Sequence, residues 1–210
     1  MPIGYFVRSM LGPFEKTAAE VYRAVFIDFD ALIRKIKEWV PDGNINILEL
    51  GCGECMFIMH LLDAYPHAHI TGSDISDRIG RMCKERSGRV VFKKGTVQAL
   101  AAENASSFDL LTVVDVLHHM PEDTQRGFLA EAKKALKPGG TIIIKEWTSN
   151  LLPIHFLAHF LDRFITGDRV VYRKVDSLRR LIKDSFGEDS IKHETWIRPW
   201  PNNRTFFIRP

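Results

Sequence analysis

The sequence predicts an α/β fold: a mostly parallel seven-stranded sheet, helices on both faces, and an antiparallel hairpin at the C-terminal end. Three observations carry this expectation. Short, nearly continuous apolar runs alternate with segments of helical periodicity, as in a parallel sheet covered on both sides. The first run ends in two glycines spaced by one residue, Gly51 and Gly53, the signature of a tight strand-to-helix turn. The alternation stops near the C-terminus, where two strand-like segments flank Pro199-Trp200-Pro201-Asn202-Asn203.

Element by element, Tyr22, Val25, Phe26, Phe29, Leu32, Ile33, Ile36 and Trp39 recur every three or four residues and predict a helix over 15–40, which Pro41-Asp42-Gly43 ends. Strand 45–50 leads to helix 55–64, strand 68–73 to helix 77–87, strand 89–93 to a short helix over 97–104, and strand 108–114 to helix 122–136. Lys137-Pro138-Gly139-Gly140 then turns into strand 141–145, and helix 176–185 precedes strands 189–198 and 204–208. The expected organisation is one domain over 1–210. It comprises an N-terminal helical lid (1–40), a core (41–147), a helical insertion (148–174), and a C-terminal helix with the hairpin (175–210).

Composition narrows the classes of function. A chain of 210 residues with 45% hydrophobic and 26% charged residues is ordinary for one globular domain. A net charge of +3 is too small and too scattered to argue for a nucleic-acid partner. Three cysteines, Cys52, Cys55 and Cys83, give no disulfide framework. The N-terminal residues lack a signal-peptide pattern, and no run reaches the roughly 18 apolar residues of a spanning helix. A cytoplasmic protein without stable membrane insertion is expected.

The most informative stretch is Ile45 to Cys55, an apolar strand running through Glu49 into the glycine turn. Amides exposed where a helix starts favour an electron-rich ligand group. An acid about 20 residues on, suited to a ribose, completes the geometry of a nucleotide-cofactor site, and Asp74 is that acid. Asp74 could instead cap a helix over 77–87, but Asp77 can do that and leave Asp74 free for a ribose. Cys52 and Cys55 have a redox or metal spacing but no second ligand pair, which makes a poor zinc site.

This order of motifs resembles the class I S-adenosylmethionine-dependent methyltransferase family, over residues 40–210. The acid-x-Gly-x-Gly-x-Gly motif stands here as Glu49-Leu50-Gly51-Cys52-Gly53-Glu54-Cys55, with Cys55 in place of the third glycine. Asp74 matches the ribose-binding acid, Phe108 to His119 the fourth-strand motif, and Leu136 to Thr141 the turn before the fifth strand. Where the family often has an acid beside the adenine, this chain has Gly95-Thr96-Val97. The resemblance implies a Rossmann-like domain, S-adenosylmethionine as cofactor, and a cofactor site made by Glu49, Gly51, Cys52, Gly53, Asp74, Ile75, Thr96, Val97, Asp115 and Val116.

His118 and His119 follow the fourth strand, and a histidine can take a proton from a hydroxyl or amine nucleophile, or simply pack at the strand end. His155 joins them as a catalytic candidate. His155, His159 and Asp162 share a helical face that suits a substrate-facing surface better than a metal, and no metal is expected. The apolar residues of 151–165, with the stripe over 22–39, suit either core packing or the roof of a pocket for a small, hydrophobic or carrier-bound acceptor methylated on oxygen, nitrogen or carbon. The competing readings are a nicotinamide-dependent oxidoreductase, against which stands the lack of a Tyr-x-x-x-Lys pair, and a cofactor-binding partner protein without catalysis.

Overall fold

The apolar runs pair into one sheet, and their registry brings the loops of interest to a common edge. A computed structural model describes residues 24–162 and 170–210, with the main chain alone for 84–87. The elements in chain order are α1 (Phe29–Trp39), β1 (Asn46–Leu50), α2 (Met56–Ala64), β2 (His69–Asp74), β3 (Val90–Lys94), α3 (Val97–Glu103), β4 (Phe108–Val114), α4 (Glu122–Ala135), β5 (Leu136–Trp147), α5 (Pro153–Leu161), α6 (Val175–Phe186), β6 (Ile191–Trp196) and β7 (Asn203–Ile208). The seven strands lie in the order β3-β2-β1-β4-β5-β7-β6. β1 to β5 are parallel, and β7 runs antiparallel to both β5 and β6. The expected sheet, with its antiparallel hairpin, is the one observed.

Both faces of the sheet are covered, which is why its inner strands are apolar without alternation. Ile47, Ile70, Leu110 and Ile143 face a core closed by α1 and α2, with Leu32, Ile36, Ile58 and Leu61 fully buried. Leu48, Leu50, Leu111, Ile142 and Ile144 face the opposite core, under α3, α4 and α6. Strand order reverses direction between β1 and β4, so the loops after these two strands diverge to opposite sides and leave a crevice at the carboxyl edge.

Three local expectations are corrected. The helix expected over 15–40 is interrupted at Ile27-Asp28: residues 24–26 are helical, and α1 starts afresh at Phe29, capped by Asp28, whose carboxylate accepts from the Ala31 amide at 2.8 Å. The Asp28 amide is drawn to the Arg198 carbonyl (2.9 Å) and its carboxylate to the Arg198 guanidinium, so the hairpin loop breaks the periodic pattern. The portion of that helix before residue 24, with Tyr22, lies outside the described residues.

The helix expected over 77–87 is instead a turn followed by a 3-10 stretch, Arg81–Arg89. Tertiary hydrogen bonds compete for its backbone: the Gly80 amide donates to Gly53 (3.1 Å) and the Met82 amide to Glu54 (3.1 Å). The Lys137-Pro138-Gly139-Gly140 turn becomes an irregularity inside β5, because Phe108 pairs with Leu136 while Leu110 pairs with Thr141.

Candidate functional site

β1, β2 and β4 end level with one another, and their loops meet at the crevice. The Gly51 and Cys52 amides both donate to the Ser73 carbonyl (2.7 and 3.1 Å), and the Gly53 amide donates to Asp74 Oδ2 at 2.7 Å. Asp74 Oδ1 accepts from the Ser76 amide at 2.8 Å, so Asp74 braces the glycine turn and shapes its own loop, with no α-helix there for it to cap. Gly51 has φ +72°, and a Cβ there would stand 2.5 Å from Val116 Cγ2, so β1 and β4 loops touch only because position 51 has no side chain. Gly53 has φ +51° and nothing within 4 Å of a built Cβ, so open space lies over this glycine. Cys55, at the position of the third glycine, adopts φ +72° and is fully buried.

Beside this notch, Ile75 is 74% exposed next to the half-buried Asp74 carboxylate. An uncovered isoleucine, an acceptor pair and a space above a glycine suit a nucleoside whose apolar ring and hydroxyls need different partners. Thr96 is exposed and caps α3, its hydroxyl oxygen accepting from the Ala99 amide at 3.4 Å, while Val97 packs its side chain into the core. Glu49 is buried under the turn. Burial pushes its carboxyl well above the usual carboxylate range and Asp115 adds to this, against a hydrogen bond donated by Thr112. Burial, and after it Glu49, Asp74 and Cys55, raise the Cys52 thiol, which therefore lacks the thiolate character of a redox cysteine.

The β4 side holds a second group of polar residues. Asp115 has φ +56° and is gripped through both oxygens by the ammonium of buried Lys145 (2.8 and 2.6 Å). Glu146, on the next position of β5, accepts from the Val116 and Leu117 amides (2.9 and 2.7 Å) and from His118 Nδ1 at 2.7 Å. A carboxylate only accepts, so this contact places the proton on Nδ1 and leaves Nε2 of neutral His118 as the basic nitrogen. His118 is 7% exposed, and burial works against its charge, but the Glu146 carboxylate outweighs that and raises its pKa. Asp115, His118 and Glu146 form the one group of three potential metal ligands among the described residues. Their atoms already serve the Lys145 ammonium, two amides and each other.

The other histidines have different roles in the geometry. His119 is exposed, with its ring 4.2 Å from that of His118. His155 Nδ1 accepts from Trp147 Nε1 at 3.2 Å. The indole can only donate, so neutral His155 carries its proton on Nε2 and offers no basic nitrogen while that bond holds. Burial, and then His159, lower its pKa and keep it neutral. Asp162 pairs with the Tyr172 hydroxyl, so His155, His159 and Asp162 do not converge on a common point. Tyr172 instead lies between α5 and the β4 loop, with its ring centroid 5.1 Å from His118 and 5.2 Å from His155.

Lys145, Glu146 and Gln125 carry this geometry and were not singled out from the sequence. The available signal for the first two was a charged pair closing an apolar strand. Fully buried Gln125 donates to the Leu117 and Met120 carbonyls (2.8 and 3.1 Å) and accepts from Arg173 Nε at 2.7 Å. Gln125→Met is expected to cost roughly 2–4 kcal/mol, since two carbonyls and a guanidinium lose their partner, and urea denaturation reads this directly.

A methyltransferase-domain family matches residues 47–140. This stretch contains the glycine turn, Asp74, the Asp115–His119 loop and the two glycines near the start of β5. This part of the chain is similar to a methyltransferase domain, in keeping with the resemblance to the class I S-adenosylmethionine-dependent methyltransferases. The chain is similar to a ubiquinone biosynthesis O-methyltransferase of Nitrosospira multiformis, 24% identical over 151 residues, covering 67% of this chain and 61% of that protein. It also resembles the protein of the same name from Xanthomonas axonopodis pv. citri, 31% identical over 118 residues, covering 54% of this chain and 47% of the other. The chain thus spans about half to three fifths of the length of these relatives. Among solved structures, the 1,6-didemethyltoxoflavin-N1-methyltransferase of Burkholderia thailandensis, with bound S-adenosylhomocysteine, has the same fold. It aligns with a TM-score of 0.66 at 16% identity and covers 99% of this chain and 88% of that one. Among the described residues no helix is long and apolar enough to cross a membrane.

Proposed function

We propose that this protein moves the methyl group of S-adenosylmethionine to a hydroxyl of a small, apolar acceptor, with His118 as the general base. The observation that carries the reading is the His118–Glu146 pair after β4, its Nε2 left basic, in the loop whose Val116 meets Gly51 of the glycine turn. Cofactor contacts are assigned to the Gly51–Gly53 turn, to Asp74 for the ribose hydroxyls, to Ile75 and Thr96 at the base, with the main chain of Val97, and to Glu49, Cys52, Asp115 and Val116 around the methionine part. When bound, S-adenosylmethionine supplies an electrophilic methyl group on a sulfonium.

The protein's own task is then alignment and proton removal. Holding two reactants in line is worth effective molarities of ~10⁵–10⁸ M. His118 Nε2 accepts the hydroxyl proton, and the resulting imidazolium is stabilised by Glu146 through Nδ1. Glu146 at the same time ties the Val116 and Leu117 amides, so the base and the loop beside the cofactor move as one unit. A hydroxyl acceptor accords with the named activity of the curated relatives. An apolar one accords with the aromatic surroundings of His118: Tyr172, and beyond it His155 with Trp147. Cytoplasmic residence belongs to the same proposal.

Calorimetric titration of S-adenosylhomocysteine into the parent and the Asp74→Ala protein tests the cofactor assignment. Loss of a carboxylate that accepts from ribose hydroxyls is expected to weaken binding by roughly 10–150-fold, at 1.5–3 kcal/mol for hydrogen bonds to a charged group. An unchanged dissociation constant removes Asp74 from the site. Binding without turnover across a panel of hydroxylated aromatic acceptors favours the partner-protein reading over the enzyme.

A further inference from the structure

A lysine is rarely taken out of water, because only a well-placed partner makes up for the solvation its ammonium loses. Lys145 is 1% exposed, on β5 directly after Ile142-Ile143-Ile144. An apolar residue would serve the sheet there as well, since a buried ion pair replaced by hydrophobic groups of similar volume is often no less stable. The lysine therefore calls for a role other than stability.

What Lys145 holds is the first residue of the loop after β4. Its ammonium grips both Asp115 oxygens, and its carbonyl accepts from the Asp115 amide at 2.9 Å. One residue thus fixes the side chain and the main chain of Asp115, in a left-handed conformation (φ +56°) that non-glycine residues rarely adopt. The hydroxyl of Thr205, opposite Lys145 on β7, has no hydrogen-bond partner, so the ammonium is not shared with it. Val116 follows the bend and packs where a Cβ on Gly51 would stand. The charge of Asp115 is also felt at Glu49, buried beneath the glycine turn. We propose that Lys145 is a positioning residue for the cofactor, setting through Asp115 the spacing between the β4 loop and the glycine turn. This rests on the assignment of Asp115 and Val116 to the methionine part of S-adenosylmethionine. Glu146, the next residue, points to the other face of the strand and holds the Val116 and Leu117 amides and His118. Two consecutive residues of β5 then govern cofactor binding and proton removal separately.

Calorimetric titration of S-adenosylhomocysteine into three variants tests this. Lys145→Met keeps the length of the side chain and removes its charge. Its dissociation constant is expected to rise roughly 5–150-fold, the span of a typical coupling between sites, at unchanged stoichiometry. A purely structural lysine gives the opposite pattern, fewer binding sites of parental affinity, because the folded fraction binds normally. Asp115→Gly adopts the left-handed conformation freely and leaves the ammonium no carboxylate. Adding Lys145→Met to Asp115→Gly is expected to leave the dissociation constant within about twofold, since the lysine has nothing left to act through. The same addition is expected to raise the urea midpoint, because an orphaned buried charge is removed. An unchanged constant for Lys145→Met, a fall in stoichiometry alone, or a further loss of affinity on adding it to Asp115→Gly overturns the proposal. If Lys145→Met does not fold, the comparison within the Asp115→Gly background decides. A parent that fails to bind S-adenosylhomocysteine overturns the cofactor reading itself, whereas a binding parent indifferent to Lys145→Met leaves that reading standing.

Discussion

His118→Ala is expected to lower kcat by roughly two to four orders of magnitude while S-adenosylhomocysteine affinity stays within error. The basis is the hydrogen bond from His118 to Glu146, which fixes the proton on Nδ1 and leaves Nε2 as the basic nitrogen of that ring. The pH dependence separates this from a packing role. The neutral imidazole is the active form, and Glu146 raises the His118 pKa above the ordinary histidine value of about 6.5. Activity is therefore present above that raised value and falls as pH drops through it. Glu146→Gln removes the charge that opposes burial, so the acidic limb of the pH–rate profile is expected to move to lower pH as kcat also declines. For stability the sign is reversed: the His118–Glu146 ion pair contributes fully below the unfolded-state pKa and is lost as pH rises through the folded one. A His118→Ala enzyme with parental kcat, or a limb that Glu146→Gln leaves in place, sinks the base assignment.

The two glycines of the first loop should separate stability from cofactor binding. Gly51→Ala forces a left-handed alanine and sets its Cβ 2.5 Å from Val116 Cγ2, and is expected to cost roughly 2–4 kcal/mol in urea denaturation. Adding Val116→Ala should recover part of that loss, because the steric share of the cost disappears while the backbone share remains. Gly53→Ala meets no neighbour and is expected to cost only about 1 kcal/mol for its φ of +51°. Its new methyl group, however, enters the open notch, where overpacking is expected to weaken S-adenosylhomocysteine binding by roughly tenfold or more. Equal effects of both alanines on stability, or a Gly53→Ala protein with parental affinity, would place the cofactor elsewhere.

The strands themselves and the glycine turn beside the crevice were legible because their determinants are local. Runs such as Leu110 to Val114 and Ile142 to Ile144 are strands from composition alone, and Gly51 and Gly53 mark the turn. What escaped the sequence depends on partners distant along the chain. The segment over 77–87 has helical spacing, yet Gly80 and Met82 bond to the loop after β1 instead. Asp28 is an acid within an apolar stripe until Arg198 meets it, 170 residues on. His118 was visible as a candidate, but Glu146, 28 residues away, is what distinguishes it from His119 and His155. Likewise, nothing before the structure shows that Trp147 donates to His155 and so occupies the nitrogen that could have served as base.

The meeting of residues 25–28 with the hairpin loop reaches beyond stability. Trp200 donates to the Val25 carbonyl, Asn203 to that of Phe26, and the Asp28 amide to Arg198. On a ribosome, α1 emerges early and can pack on α2 as soon as that helix is made. Its entrance at residues 25–28, by contrast, has no mooring until the hairpin loop leaves the tunnel, so the fold is pinned shut only as translation ends.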